Sequence, residues 1–153
     1  AVTFLGFAKT HLSAQQPKAP EPGVRSPRGS AAARVWQSLT TGREYRVRVE
    51  DQLLHAEWAN IPPALARQGA YIRSECRRVG TKWIGTSRSY LPCSPKQAGT
   101  AEARNWCRLL TRIEIDSISP DSIAGRAEGL RRFDCQTCKI LETVWKDFQW
   151  VPK

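Results

Sequence analysis

Five cysteines are the residues of this chain with the most versatile chemistry. Their positions are Cys76, Cys93, Cys107, Cys135 and Cys138, and the last two form a Cys-x-x-Cys motif. In an oxidising compartment, five cysteines can form two disulfides and leave one thiol over. We expect this arrangement, with Cys135 or Cys138 bridged to one of the three earlier cysteines and with Cys138 as the spare thiol.

Two alternatives use the same motif. A dithiol oxidoreductase places Cys-x-x-Cys at a helix N-terminus, which lowers the pKa of the first thiol, and residues 139–145 could form such a helix. No βαβ pattern precedes the motif, however. A structural zinc site usually needs a second cysteine pair or spaced histidines, and the chain has only His11 and His55. The pattern favours structural disulfides, and we expect no metal and no cofactor.

Acid–base and nucleophilic catalysis find little support in the sequence. No nucleophile elbow, phosphate loop, dinucleotide fingerprint or H-E-x-x-H motif occurs. His55 lies between apolar residues of a strand-like segment, where a structural role is the more frequent one. Glu114 and Asp116 would share one strand face and could bind a cation, but in so basic a chain we expect them to pair with Arg112 or Arg126. We predict no catalytic residue.

A surface for anions or planar rings is a further candidate. The net charge of +10, from 24 basic and 14 acidic side chains, suits a polyanionic partner, and the six tryptophans could stack on bases or sugars. A solvated basic surface and tryptophans that fill the core are the simpler interpretation, and we predict that Trp58, Trp83 and Trp150 are buried. The candidate anion-binding or ring-stacking surface comprises Arg46, Arg48, Arg73, Trp83 and Arg88.

The first 34 residues differ in composition from the rest. Residues 1–14 are similar to the end of a secretory signal, with an apolar start and a small-residue edge at Ser13 and Ala14. Residues 15–34, rich in proline and basic groups, are typical of a linker without a core. We therefore expect an exported protein, periplasmic or extracellular. No apolar run approaches the ~20 residues of a membrane helix, so we expect no integral membrane segment.

From residue 35 to 153 the pattern is that of one antiparallel β domain. Apolar and polar residues alternate in three predicted hairpins, over 44–58, 70–91 and 107–128, with turn residues between their strands. A short helical turn is predicted over 63–69 and a closing strand over 147–152. Strands at this spacing predict an antiparallel sandwich or small barrel built from consecutive hairpins, with a disordered N-terminal tether.

Five segments carry a resemblance: Lys82–Gly85, Ile115–Ile118, Ile123–Glu128, Phe133–Cys138 and Trp150–Lys153. In these the chain resembles small exported bacterial all-β proteins of uncharacterised function. The resemblance covers about residues 43–153. It implies export and an all-β fold, and it implies no activity and no functional residue.

The sequence thus favours an exported, non-enzymatic binding or structural module with an unassigned ligand. Its partner would be a polyanion or a component of the cell envelope. Two alternatives remain open: a thiol–disulfide redox protein that uses Cys135 and Cys138, and a basic β-barrel that binds single-stranded nucleic acid.

Overall fold

A computed structural model describes residues 32–93 and 105–153 of the chain. The described residues form eight strands and one short helix. They are β1 (Arg34–Ser38), β2 (Glu44–Glu50), β3 (Leu53–Trp58), α1 (Pro63–Arg67), β4 (Tyr71–Val79), β5 (Lys82–Pro92), β6 (Trp106–Ile118), β7 (Ile123–Asp134) and β8 (Lys139–Pro152).

The strands close into a single antiparallel barrel. Each strand pairs with the next one along the chain, and β8 returns to pair with β1, where Ser38 lies opposite Trp150. The predicted antiparallel β class is confirmed, and the architecture is a barrel rather than a sandwich. The expected tether over residues 15–34 lies outside the described residues except at its end, where Arg34 already belongs to β1.

Alternation decides which side chains enter the barrel. In β2, Tyr45 and Val47 are buried, while Arg46 and Arg48, which alternate with them, are exposed. Successive strand residues point to opposite faces of a sheet, so one set fills the core and the other meets water. The largest fully buried side chains are Leu54, Leu65, Cys76, Cys107, Ile115 and Ile123.

The three predicted hairpins and the helical turn are confirmed. The β2–β3 turn places Asp51 at a φ of 50°, and the β4–β5 turn places Gly80 at a φ of 63°. After α1, Gly69 takes a φ of 86°, a value that glycine adopts without steric cost. The helix places Leu65 in the core, where it is 1% exposed.

Two glycines let neighbouring strands approach closely. A Cβ at Gly85 of β5 would clash with the backbone of β4 at Glu75, and a Cβ at Gly125 of β7 would clash with the backbone of β6 at Glu114. Glycine inside a strand often marks such a bend or close approach. Both positions lie on the inward face, where the sheet must coil to close.

The last third of the chain differs from expectation. The helix considered over 139–145 is wrong, because these residues belong to β8, which pairs with β7 from Asp134–Lys139 down to Ile123–Trp150. β7 and β8 are also much longer than the predicted 122–128 and 147–152. β-Branched and aromatic residues such as Thr143 and Trp145 favour a strand when a partner strand is available.

Candidate functional site

A cavity of about 540 Å³ occupies one end of the barrel. We call this end the mouth; it carries the β1–β2 loop, α1, and the ends of β5 and β7. Small hydroxyl side chains at inward positions leave the space open: Ser74 on β4, Ser87 and Ser89 on β5, and Thr111 on β6 line it. An eight-stranded barrel is just wide enough to be filled by side chains or to hold one small ligand, and here the end opposite the mouth is filled by buried side chains such as Ile115 and Ile123.

One wall of the cavity is aromatic. The Trp150 ring stacks between Tyr45, at a centroid distance of 4.7 Å, and Phe148, at 4.8 Å. Burial raises the pKa of the Tyr45 hydroxyl, and the nearby Arg43 guanidinium opposes this shift. Tyr45 is therefore a neutral hydroxyl donor at ordinary pH. The opposite wall holds the hydroxyl groups, where Ser74 donates a hydrogen bond to Ser87 at 3.1 Å.

Two cations face the cavity without a carboxylate partner. Lys146 shares the inward face of β8 with Phe148 and Trp150, and Arg43 lies in the loop before β2. The Arg43 guanidinium lies 5.1 Å from the centre of the Trp58 ring. Among the described residues, no ion pair involves either cation. A ligand with an anionic group would supply the missing charge.

Gly129 makes room for the Lys146 side chain. A Cβ at Gly129 would lie 3.1 Å from both Cδ and Cε of Lys146, which is tighter than an ordinary van der Waals contact. The absence of a side chain on β7 therefore lets the aliphatic stem of Lys146 cross the neighbouring strand. A larger residue at position 129 would push the ammonium group away from its present position.

A fork between β6 and β7 borders the same cavity. The two strands pair only from Ile113–Ala127 to Ile118–Ile123, although both continue toward the mouth. Glu128 occupies the fork with a side chain only 8% exposed, and its carboxylate accepts hydrogen bonds from the Arg112 backbone, the Arg112 guanidinium and the Thr143 hydroxyl. These contacts, the Arg112 guanidinium foremost, lower the pKa of Glu128.

The cysteine pairs lie at the mouth. Cys93 pairs with Cys135 at a Cα separation of 5.6 Å, and Cys107 pairs with Cys138 at 5.5 Å, both suitable for disulfides. The prediction that Cys138 is the spare thiol is wrong; the spare is Cys76, buried in the core. Cys138 takes a φ of 58° in the β7–β8 turn, and this tight turn brings both cysteines of the motif within reach of Cys93, just after β5, and Cys107 on β6.

The Cys-x-x-Cys motif therefore has no helix-start geometry. It occupies the turn between two strands, and its two cysteines are bonded to different partners rather than to each other. A dithiol enzyme needs the pair to form and break a mutual bridge. Burial, followed by the charge of Glu75, raises the pKa of the remaining Cys76 thiol to about 11, so this thiol is not activated either.

The predicted acidic and histidine candidates are engaged on the outer face. Glu114 binds Arg126 at 2.8 Å, as expected, and Asp116 binds Lys82 at 3.2 Å. His55 is half-exposed, with Nδ1 3.8 Å from a Glu75 oxygen. Within the described ranges, 32–93 and 105–153, no group of three His, Cys, Asp or Glu side chains could hold a metal ion.

The structure divides the residues of the predicted anion-binding surface: the four arginines lie on the outer face, and the tryptophan points into the core. Arg46, Arg48, Arg73 and Arg88 alternate with inward residues and lie on the outer face of β2, β4 and β5. Trp83 does not join them, because it points into the core and is 8% exposed. Trp58 and Trp150, at 6% and 5% exposure, are buried as predicted.

Sequence reasoning missed the cavity residues. Two strands carried a signal in their alternation of inward and outward residues. At its inward positions, β5 carries Gly85, Ser87 and Ser89, which are too small to fill a barrel. In β8, Lys146 is in phase with Phe148 and Trp150. A lysine in phase with buried aromatics is unusual for a half-buried strand. Without knowledge of the barrel, neither alternation identifies a shared cavity.

Comparisons of the chain with protein-family models, with curated proteins and with solved structures find no match. In the part of the chain that the structure describes, no helix has the length and apolar character needed to cross a membrane.

Proposed function

We propose that this protein binds a small organic anion with an aromatic or apolar body in the cavity at its mouth. The observation that carries the proposal is the pair of cations that line the cavity, the exposed Lys146 and the half-buried Arg43, which have no carboxylate partner among the described residues and lie beside an aromatic wall. The volume of about 540 Å³ is within the usual range of roughly 300–1,000 Å³ for small-molecule sites.

Each wall of the cavity suits a different chemical group of the ligand. The stacked rings of Tyr45, Phe148 and Trp150 suit a planar or hydrocarbon body. The hydroxyls of Ser74, Ser87 and Thr111 suit polar substituents, and the ammonium of Lys146 suits a carboxylate, sulfonate or phosphate. The ligand is bound and released unchanged in this proposal, since no nucleophile with an adjacent base lines the cavity among the described residues.

The test uses two probes of similar shape and different charge. Anilinonaphthalene sulfonate is an aromatic anion, and N-phenylnaphthylamine is its uncharged analogue. We expect saturable fluorescence enhancement with the full chain for both probes. Lys146→Gln should lower the affinity for the anionic probe about tenfold, equivalent to about 1.4 kcal/mol. The affinity for the neutral probe should change little. Lys139→Gln, an exposed lysine at the start of β8, is the matched control.

A second variant separates cavity binding from surface binding. Ser87→Phe would fill the cavity from the wall opposite the aromatic rings, so it should abolish binding of both probes while the thermal transition remains cooperative. Equal binding of both probes by Ser87→Phe and by the unsubstituted protein would overturn the proposal, as would a Lys146→Gln variant that binds the anionic probe as tightly as the Lys139→Gln control.

We also propose that the protein works in an oxidising compartment outside the cytoplasm. Two cysteine pairs at disulfide distance support this, because disulfides persist mainly in exported proteins. Protein recovered without reductant from its natural compartment and then denatured should contain one free thiol per chain, at Cys76. Five free thiols per chain in such a sample would contradict export.

A further inference from the structure

Four arginines on β2, β4, β5 and β6 lie on the outer surface, in a band that follows the strand order about halfway round the closed barrel. In register, Arg46 lies across from Glu57, Glu57 across from Arg73, and Arg73 across from Arg88. Arg108 lies on β6 opposite Tyr90. All four arginines are exposed. We call the surface formed by Arg46, Arg73, Arg88, Arg108, Tyr71, Tyr90 and Trp106 the arginine–tyrosine face.

Three aromatic rings run through this face. The Tyr71 and Tyr90 ring centres are 6.2 Å apart, and those of Tyr90 and Trp106 are 5.0 Å apart. The Arg73 guanidinium lies 4.8 Å from the centre of the Tyr71 ring, and the Arg108 guanidinium lies 4.8 Å from the centre of the Tyr90 ring. Planar cations and rings thus alternate across three neighbouring strands.

The positive charge of the face is poorly neutralised. Arg73 and Arg88 lie directly opposite each other, and like charges in that arrangement destabilise a sheet. Glu57 binds Arg73 at 3.1 Å. Arg46, Arg88 and Arg108 form no ion pair with any described residue. An anion on this face would relieve the repulsion.

Elsewhere on the barrel, arginines that lie beside an aromatic ring form ion pairs with carboxylates. On the outer face of β6, β7 and β8, the ring of Trp145 lies between Arg112, at 5.2 Å, and Arg126, at 4.8 Å. Each of these guanidiniums binds a carboxylate, Glu128 or Glu114. That cluster is self-contained and stabilises the sheet, whereas the arginine–tyrosine face is left with unpaired cations.

We propose that the arginine–tyrosine face binds single-stranded nucleic acid. Arg46, Arg88 and Arg108 would contact phosphates, and the half-buried rings of Tyr71, Tyr90 and Trp106, with the guanidiniums laid on them, would stack on bases. Single-stranded nucleic acid supplies both planar rings and regularly spaced negative charges, and proteins that bind it combine a basic groove with aromatic platforms. A duplex keeps its bases stacked inside, so it offers only its phosphates.

The experiment measures binding of a fluorescent oligothymidylate of about fifteen nucleotides to the oxidised full chain at several salt concentrations. The triple variant Arg46→Gln, Arg88→Gln, Arg108→Gln should lose at least tenfold in affinity, and the slope of log K against log salt should shrink by about 2, for three lost contacts at about 0.7 each. The control triple Arg77→Gln, Arg132→Gln, Lys139→Gln removes the same charge elsewhere and should change affinity less than threefold.

Tyr90→Leu tests the stacking part of the proposal. Removing one ring should weaken oligonucleotide binding about fivefold or more, within the ~1–3 kcal/mol found per stacked base, and should leave the salt slope unchanged.

Loss of affinity equal in the two triple variants would overturn the proposal, since it would reflect net charge alone. Equally tight binding of polygalacturonate, unaffected by Tyr90→Leu, would assign the face to an acidic polysaccharide instead. None of these results bears on the cavity, which faces the barrel interior.

Discussion

Inward-pointing side chains at the end of the barrel opposite the mouth are tightly buried. Trp83 points into the core from β5. Its neighbours in register are Arg78 on β4 and Ile115 on β6. Ile115 is fully buried beneath it. Tightly packed interiors relax only partly when a large group is removed, so a truncated side chain leaves a cavity.

Trp83→Ala should lower the free energy of unfolding by about 3–5 kcal/mol, the usual cost of removing a large buried aromatic group. Trp145→Ala, at a half-exposed position on the outer face, should cost clearly less. Denaturant unfolding of both variants, followed by circular dichroism, makes the comparison. Near-native stability of Trp83→Ala would show that the ring is not part of the core.

Glu128 is the residue whose charge matters most for the sheet, because it closes the fork between β6 and β7. Its pKa is lowered in the folded protein, chiefly by the hydrogen bond from the Arg112 guanidinium. A lowered pKa in the folded state means that the stabilisation is complete above the pKa of the unfolded chain, about 4.3, and is lost as the pH falls through the folded value.

Glu128→Gln should therefore lower the free energy of unfolding by about 1.5–3 kcal/mol at pH 7, the range for hydrogen bonds to charged groups. The difference from the unsubstituted protein should narrow as the pH falls from about 5 to 2. Glu142→Gln, which breaks the exposed pair with Arg131, is the control and should change stability by less than about 0.5 kcal/mol. A Glu128→Gln effect that stays constant with pH would contradict this electrostatic role.

Among the elements, the hairpin of β7 and β8 extends furthest beyond the barrel. Near the mouth it pairs with itself from Glu128–Trp145 to Asp134–Lys139, while β6 no longer contributes ladder pairs among the described residues. The end of this hairpin is exposed, with Leu141 49% and Val144 37% accessible. The cysteine pairs connect its turn to β6 and to the end of β5.

Replacing both Cys93 and Cys135 by serine should lower the free energy of unfolding by about 2–4 kcal/mol, since the bridge closes a loop with a sequence separation of 42 residues. The loops of the two bridges overlap, so the loss is expected to be smaller than for an isolated bridge. Thermal unfolding under oxidising conditions gives the value. A Cys93→Ser, Cys135→Ser variant as stable as the native chain under these conditions would show that the bridge does not stabilise the fold.

The barrel as a whole is complete within the described residues. β1 begins at Arg34, which pairs with Val47 of β2 and whose guanidinium donates to the Pro120 carbonyl at 3.0 Å. The core cluster consists of residues from Trp36 to Trp150. The strand pairs and the core cluster described here join residues from Arg34 onward, and we expect a chain that begins at residue 32 to keep the ring of strands.

A chain that begins at residue 32 should therefore keep the far-ultraviolet circular dichroism of the full chain and a cooperative thermal transition within a few degrees of it. Beginning at Val35 would delete the first residue of β1 and is a poorer choice. An insoluble or non-cooperative protein from residue 32 onward would show that the N-terminal segment belongs to the core.

Much of this architecture followed from the sequence by itself. Alternation along β2 and β3, the Gly80 turn and the helical turn at α1 depend on residues close together in the chain, and short-range sterics and hydrophobic periodicity determine them. Burial of Trp58 and Trp150 followed from the same periodicity. Where two structures were locally acceptable, as in 139–145, only the presence of β7 as a partner selected the strand.

The tertiary structure alone decided closure and the sites. Ser38 meets Trp150 across more than a hundred residues, and no local pattern specifies that encounter. The partners of Cys135 and Cys138 depend on which strand ends meet at the mouth. The convergence of Lys146 with Ser87, and of Arg73 with Arg88, likewise depends on strand register. Alternation assigns each side chain to a face, but only strand pairing decides which side chains share that face.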